Sequence, residues 1–228
     1  MEVETKQKAI LLCGCFGKDI YEQFLIKAKY DYKNNKNLSL KYDRDVIKGS
    51  NVFDVVLVNQ LIEEDFLNVA KQRDLEKILK TKSLNIEGYY LNSSILLKNE
   101  ENPNSYLAKN LISQIKRRNP RYEMPVMINL SELELVNDYD SNYGLAFNLK
   151  ENSEIISSPI LKERYCIFSS EDVNLETGLA EKFGVGERTF EAIDSGLSVL
   201  YLHNKLDLLS SGFLSFSTDN GRIIIVRS

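Results

Sequence analysis

The chain has one histidine, three cysteines and no apolar run long enough to span a bilayer in its 228 residues. Each scarcity removes a class of function. With His203 as the sole imidazole, H-E-x-x-H, H-x-G-H and other paired-histidine metal sites cannot be assembled, and the several His and Asp ligands of calcineurin-like phosphoesterases are missing. A Ser-His-Asp hydrolase would need the same histidine, and no G-x-S-x-G elbow accompanies it. An odd cysteine count does not suggest a secreted disulfide framework. A membrane helix needs roughly 20 consecutive apolar residues, and the charged start Met1-Glu-Val-Glu-Thr-Lys lacks a signal core. A cytoplasmic protein without a membrane is the resulting expectation.

What remains is ordinary globular composition, 43% hydrophobic and 27% charged. A chain of this length buries roughly 70–75% of its unfolded surface, so neither disulfides nor metal are needed for folding. The net charge of −4 argues against whole-surface attraction to nucleic acid and leaves local basic patches open.

The segment AILLCGCFGKDIYEQFLIK (9–27) carries the strongest local signal. Ala9–Leu12 is apolar on both faces, as in a strand of a covered parallel sheet. Gly14 and Gly17 form a turn. Asp19 is the N-cap candidate for a helix burying Ile20, Phe24 and Ala28. Strand, glycine turn and helix start make an anion site in principle. The dinucleotide fingerprint lacks a glycine, however, and a Walker A loop is broken by Leu12 and Asp19. An ordinary βα turn is the favoured reading. Cys13-Gly14-Cys15 lacks the second ligand pair of a zinc site, so no metal and no cofactor are expected. Cys15, near a helix N-terminus, is the better candidate for a reactive thiol.

Val52–Val58 reads as a second interior strand of the same sheet, interrupted by Asp54. Leu61–Leu79 reads as a helix with Glu63, Glu64 and Asp65 in its first turn, where the dipole favours anions. A strand is expected within 88–98, and a clear helix follows Asn102-Pro103-Asn104, repeating Leu107, Leu111 and Ile115. Its cationic end, with Arg117, Arg118 and Arg121, complements the helix dipole; the same cluster is the one place where nucleic-acid phosphates could be held.

The polar run 137–142 is the best boundary, dividing a 1–136 α/β domain from a 137–228 β-rich domain or subdomain. Strands are expected at Leu145–Leu149, Tyr165–Phe168, Thr189–Ile193, Leu197–Leu202, Phe213–Ser217 and Arg222–Val226. Asp219-Asn220-Gly221 should turn a hairpin between the last two. The fold class is therefore α/β: a mixed or mostly parallel N-terminal sheet with flanking helices, then a β-rich part ending in a hairpin.

Between the strands expected at Tyr165–Phe168 and Thr189–Ile193 lies the polar stretch Ser169–Arg188, where Glu171, Asp172, Glu176, Glu181, Glu187 and Arg188 could line a site. Gly184 and Gly186 there allow a turn or a close backbone approach.

Two functions stay open. The favoured one is a binding or assembly protein that meets a protein partner or a second copy of itself. The alternative is an enzyme or sensor for a nucleotide or other phosphorylated molecule. Its small anionic ligand would meet Cys15, Phe16, Gly17 and Lys18, with Arg188, Arg117 or Arg118 as clamp.

Overall fold

The computed structural model describes residues 9–203 and 206–227. Among them the chain opens with β1 (Ile10–Leu11), α1 (Gly14–Tyr30), the hairpin strands β2 (Lys41–Asp43) and β3 (Val46–Lys48), and α2 (Val52–Ile62). Then come β4 (Leu67–Val69), α3 (Gln72–Thr81), β5 (Leu91–Leu97), α4 (Ser105–Arg118), β6 (Val126–Asn129), β7 (Leu133–Asn137) and β8 (Leu145–Leu149). The rest is strands: β9 (Ile155–Ile156), β10 (Tyr165–Phe168), β11 (Val173–Asn174), β12 (Leu179–Ala180), β13 (Arg188–Glu191), β14 (Leu197–Leu202), β15 (Leu208–Ser211) and β16 (Ile224–Arg227).

Helices and sheets are both present, as expected, but the sheets are mostly antiparallel. The largest has the order β10-β13-β15-β14-β5-β6-β9, and among the described residues β13–β15 is its one parallel ladder. Strands from both sides of residue 137 share it. A smaller sheet, β1-β16-β4, joins the two ends of the chain.

Alternation along the central strands explains the packing. Ile95 and Leu97 of β5, Leu197 and Val199 of β14, and Val126 and Ile128 of β6 face a large core shared with α1, α2 and α4. Leu96, Leu200 and Met127 point the other way, onto Phe168, Phe190 and Leu161. A strand buried on both faces carries no polar side, hence the near-continuous apolar sequence of β14. Each fully buried Leu or Phe contributes about 1.5–3 kcal/mol.

Several expectations are corrected. Val52–Val58 is helical. Asn51 Oδ1 accepts from the backbone N–H groups of Phe53 and Asp54, and the Asp54 carboxylate accepts from Asn51 N–H, closing a capping box. A helix apolar all round is a core helix, and α2 is surrounded by the large core. Ala9–Leu12 shrinks to β1, the outer strand of its sheet, antiparallel to β16 and with Ile10 exposed. No parallel neighbour forms because α1 leads into the β2–β3 hairpin, which meets Cys13 through an antiparallel bridge at Val46. Helix α1 does bury Ile20, Phe24 and Ala28, but it starts at Gly14 with Cys13 as N-cap, placing Asp19 inside it.

The expected 61–79 helix is interrupted. Glu63–Asp65 is a 3-10 turn, Phe66 is left-handed, and β4 intervenes before α3. The hairpin at Asp219–Gly221 is also corrected. Phe213–Ser217 is not a strand, and β15 lies earlier in the chain. The turn closed by Gly221 N–H to Thr218 O (2.9 Å) sends the chain out of the large sheet and into β16, between β1 and β4.

Candidate functional site

Asn92 and Tyr201 are cross-strand partners on β5 and β14, and Val199 faces Ser211 across β14 and β15. Asn92, Val199, Tyr201 and Ser211 line one cavity. Its cover is the irregular segment 212–218. Asn104 Nδ2 donates to Gly212 O (2.8 Å) and Leu197 O (2.7 Å), pinning where that segment begins. Leu214 is driven fully into the large core. Turning Leu214 inward leaves Phe213 and Phe216 outside, 75% and 63% exposed.

At the other end, the Thr218–Gly221 turn is sewn to the start of β5. Tyr90 N–H donates to Asn220 O and Arg222 N–H to Tyr90 O, both at 3.0 Å. Gly49 N–H donates to Gly221 O (3.1 Å), drawing residues 49–50 against the same turn. A Cβ on Gly221 would lie 3.0 Å from Ser50 N, a tight contact that glycine avoids where the two backbones approach.

These elements enclose a cavity of about 260 Å³. Tyr90, Tyr201, Phe213 and Phe216 form aromatic walls. The Tyr90 and Tyr201 rings stack at 5.7 Å, and His203 stands edge-on to Tyr90 with Nε2 2.8 Å from the Tyr90 hydroxyl. Burial raises the Tyr201 phenol above its ordinary pKa, so it stays a neutral hydroxyl. The polar lining is Ser50, Asn92, Ser211 and Thr218. Asn92 Nδ2 donates to Ser50 O at 3.1 Å. Ser50 is 2% exposed, yet its Oγ has no hydrogen-bond partner among the described residues, and neither has Thr218 Oγ1. A buried polar group left unpaired costs about 1–3 kcal/mol. Both oxygens are closed to solvent, so they lie behind the cavity surface and not on it.

The residues singled out from sequence are not brought together here. Cys15, Phe16, Gly17 and Lys18 form the first turn of α1. Gly17 is buried, and a Cβ there would meet Leu12 C at 3.1 Å, so its glycine serves helix-on-strand packing. Gly14 N–H already donates to Asp45 O (2.7 Å). The Asp45 carboxylate, held by the Tyr42 hydroxyl, which also donates to Gly14 O, adds negative charge beside that helix start. Lys18 faces Glu22 at 3.9 Å on an exposed surface, a pair worth little.

Arg188 is buried elsewhere. Its guanidinium grips Glu76 of α3 through two bonds of 2.7 and 2.8 Å, donates from Nε to Leu206 O and lies over the Phe168 ring. Among the described residues, these contacts join Arg188 to Glu76, Leu206 and Phe168, and the structure does not bring it together with Gly14–Lys18. Arg118 donates to Leu149 O (2.6 Å), while Arg117 lines a shallow groove on α4 with Lys109 and Tyr106.

Two acids of Ser169–Arg188 serve the local fold: Glu187 accepts from Ser170 N–H, and Glu181 from Asn174 Nδ2. Gly186 does allow the close approach, because a Cβ would strike the Phe168 backbone at 2.0 Å. Cys13 and Cys15 are exposed, and burial pushes the Cys166 thiol up to about 11. Among the described residues no cluster of His, Cys, Asp or Glu is placed to hold a metal ion, and no helix is long and apolar enough to cross a membrane.

Sequence reasoning missed the cavity. Its signals were Tyr90, the Tyr201-Leu202-His203 alternation at a strand end, and two phenylalanines in a serine-rich stretch, scattered over three separate regions. Compared with known proteins, the chain matches no family model, no curated sequence and no solved structure.

Proposed function

We propose that this is a binding protein whose cavity beneath Phe213 and Phe216 takes a small organic molecule. The observation that supports this most is the aromatic lining of Tyr90, Tyr201, Phe213 and Phe216 beside the polar residues Asn92 and Ser211. Ligand sites are typically apolar clefts with a few placed polar groups, and this cavity has that make-up. The alternative, a phosphorylated ligand at Gly14–Lys18, has less support: Asp19 follows in the same helix, Asp45 sits beside its start, and Arg188 is paired with Glu76.

A thermal-shift screen of small aromatic and aliphatic compounds tests the reading. A ligand at about 100 times its Kd stabilises by about 2.7 kcal/mol. The expected hits raise the melting temperature of the natural chain and lose that effect in Phe213→Ala/Phe216→Ala, whose exposed side chains can be trimmed without unfolding the protein. Hits that stabilise both proteins equally would place binding elsewhere and reject the reading.

A further inference from the structure

We infer that the groove between α4 and β8 binds a segment of single-stranded nucleic acid. The groove shares no lining residue with the aromatic cavity, so the inference stands apart from the ligand proposed there.

The groove is built by the docking of α4 along β8. Gln114 Nε2 donates to Phe147 O (2.9 Å), Gln114 Oε1 accepts from Leu149 N–H (2.8 Å), and Arg118 Nη2 donates to Leu149 O (2.6 Å). These bonds fix the helix against the strand. A shallow depression of about 550 Å³ remains between Tyr106, Lys109, Asn110, Ser113 and Arg117 of α4 and Asn148 of β8.

Charge is the first argument. Lys109 and Arg117 line the groove and no carboxylate does. Neither cation has an ion-pair or hydrogen-bond partner for its side chain among the described residues. Exposed Lys116, Arg118 and Arg121 extend the positive surface past the helix end. Asp138 accepts from the Tyr106 hydroxyl (2.9 Å), with Asp140 close by, so phosphate is disfavoured at that end and the ring is left for a base.

Hydrogen-bonding capacity is the second. Asn110 Oδ1 is taken by Gln114 Nε2 (2.7 Å) and Gln114 Oε1 by Leu149, while Lys109, Arg117 and the Asn110 NH₂ keep their donors. A phosphodiester backbone brings acceptors alone. An acidic protein segment would also bring a backbone N–H with each peptide unit, and each needs an acceptor. Extent is the third. At roughly 1.5 Å per residue, Lys109 and Arg117 are about 12 Å apart along α4, which suits successive charges of a chain better than one small ion. The Tyr106 ring, 40% exposed, completes the pairing of cationic groove and aromatic platform by which single strands are held. With a net charge of −4 the attraction is local, and binding should be weak and salt-dependent.

The test is fluorescence anisotropy of a labelled deoxythymidine decamer titrated with the full chain at about 50 mM salt. The expected Kd is on the order of 10⁻⁴–10⁻⁶ M, and two phosphate contacts give log K a slope of about −1.4 against log salt. Arg117→Ala should reduce that slope by about 0.7. Tyr106→Ala should weaken binding at least about fivefold, the loss of one stacked base, with the slope unchanged. Lys109→Glu and Arg117→Glu should each weaken it more than Lys18→Glu, an equal charge reversal on exposed α1. All are surface residues, and unchanged circular dichroism confirms folding. Absence of decamer binding overturns the inference. Equal weakening by Lys18→Glu does so too, leaving net charge as the only determinant. Displacement of the decamer by an equal concentration of an oligoglutamate decamer or of inorganic phosphate also overturns it, and assigns the groove to an acidic segment or a small anion.

Discussion

Asp54 shows how one side chain can be structural and pH-sensitive at once. Its carboxylate accepts from the N–H groups of Asn51 and Ser39 at the head of α2, fully buried. Burial pushes its pKa from 3.8 to about 7, against the opposing pull of the N–H donors at Asn51, Ser39 and Leu40. Because the folded pKa is above the unfolded one, the stability contributed by this group is complete below about 4. It is lost as pH rises through about 7, since the unfolded chain releases the proton first. Relative to Asp54→Asn, the natural chain should therefore lose melting temperature between pH 4 and 8, a difference of a few kcal/mol in stability. The Asp54 carboxyl carbon should titrate near neutrality by NMR, and a midpoint near 4 would refute the argument. Asp54 was read from sequence as a break in a strand; the three-residue spacing from Asn51 was the cap signal, visible but outweighed by the β-branched run after it.

At the scale of elements, α3 is tied to the large sheet by a buried polar chain. Glu76 holds Arg188 of β13, Gln72 Nε2 donates to Glu76 Oε1 (2.9 Å), and Ser93 of β5 donates to Gln72 Oε1 (2.7 Å). The Arg188 and Glu76 side chains are 3% and 4% exposed. Removing one partner strands a charge in the core and costs about 3–5 kcal/mol, while replacing both by apolar groups of similar volume is close to neutral. Urea denaturation should show Glu76→Leu and Arg188→Met each strongly destabilised, and the double variant recovering most of the loss. Additive losses would mean that the two side chains do not depend on each other. Sequence placed Arg188 in a polar loop because its partner lies far away in the chain, on a helix whose own start was misread.

For the whole molecule, the consequential strand is the last. β16 lies between β1 and β4 and carries Ile224 and Val226 into the cluster around Leu75, Ile78 and Leu91. Deleting 222–228 removes the middle of that sheet, strands two edges and uncovers α3. The truncated chain should aggregate or fail to fold, as judged by size-exclusion chromatography and far-UV circular dichroism; a soluble, native-like truncation would show β16 to be dispensable. The large sheet also draws β5 and β6 from one side of residue 137 and β9, β10, β13, β14 and β15 from the other. The halves should accordingly unfold in one calorimetric transition, and two separated transitions would favour independent domains.

The sequence by itself determined those elements whose pattern had a single reading. Leu145–Leu149, Tyr165–Phe168 and Leu197–Leu202 are strands at the expected residues, and the Leu107, Leu111, Ile115 repeat is a helix. Length, alternation and flanking turn residues left those segments no competitor. Tertiary structure decided the rest. Val52–Ile62 is apolar on every side, so periodicity could not separate a core helix from a doubly covered strand, and its surroundings chose the helix. The order of the strands, the antiparallel sheets and the path of β16 depend on pairings between residues distant in sequence. So does the cavity. Ser50, Tyr90, Tyr201 and Phe216 have nothing in common along the chain; they become one surface only because Leu214 must be buried and the turn before β16 must close against β5.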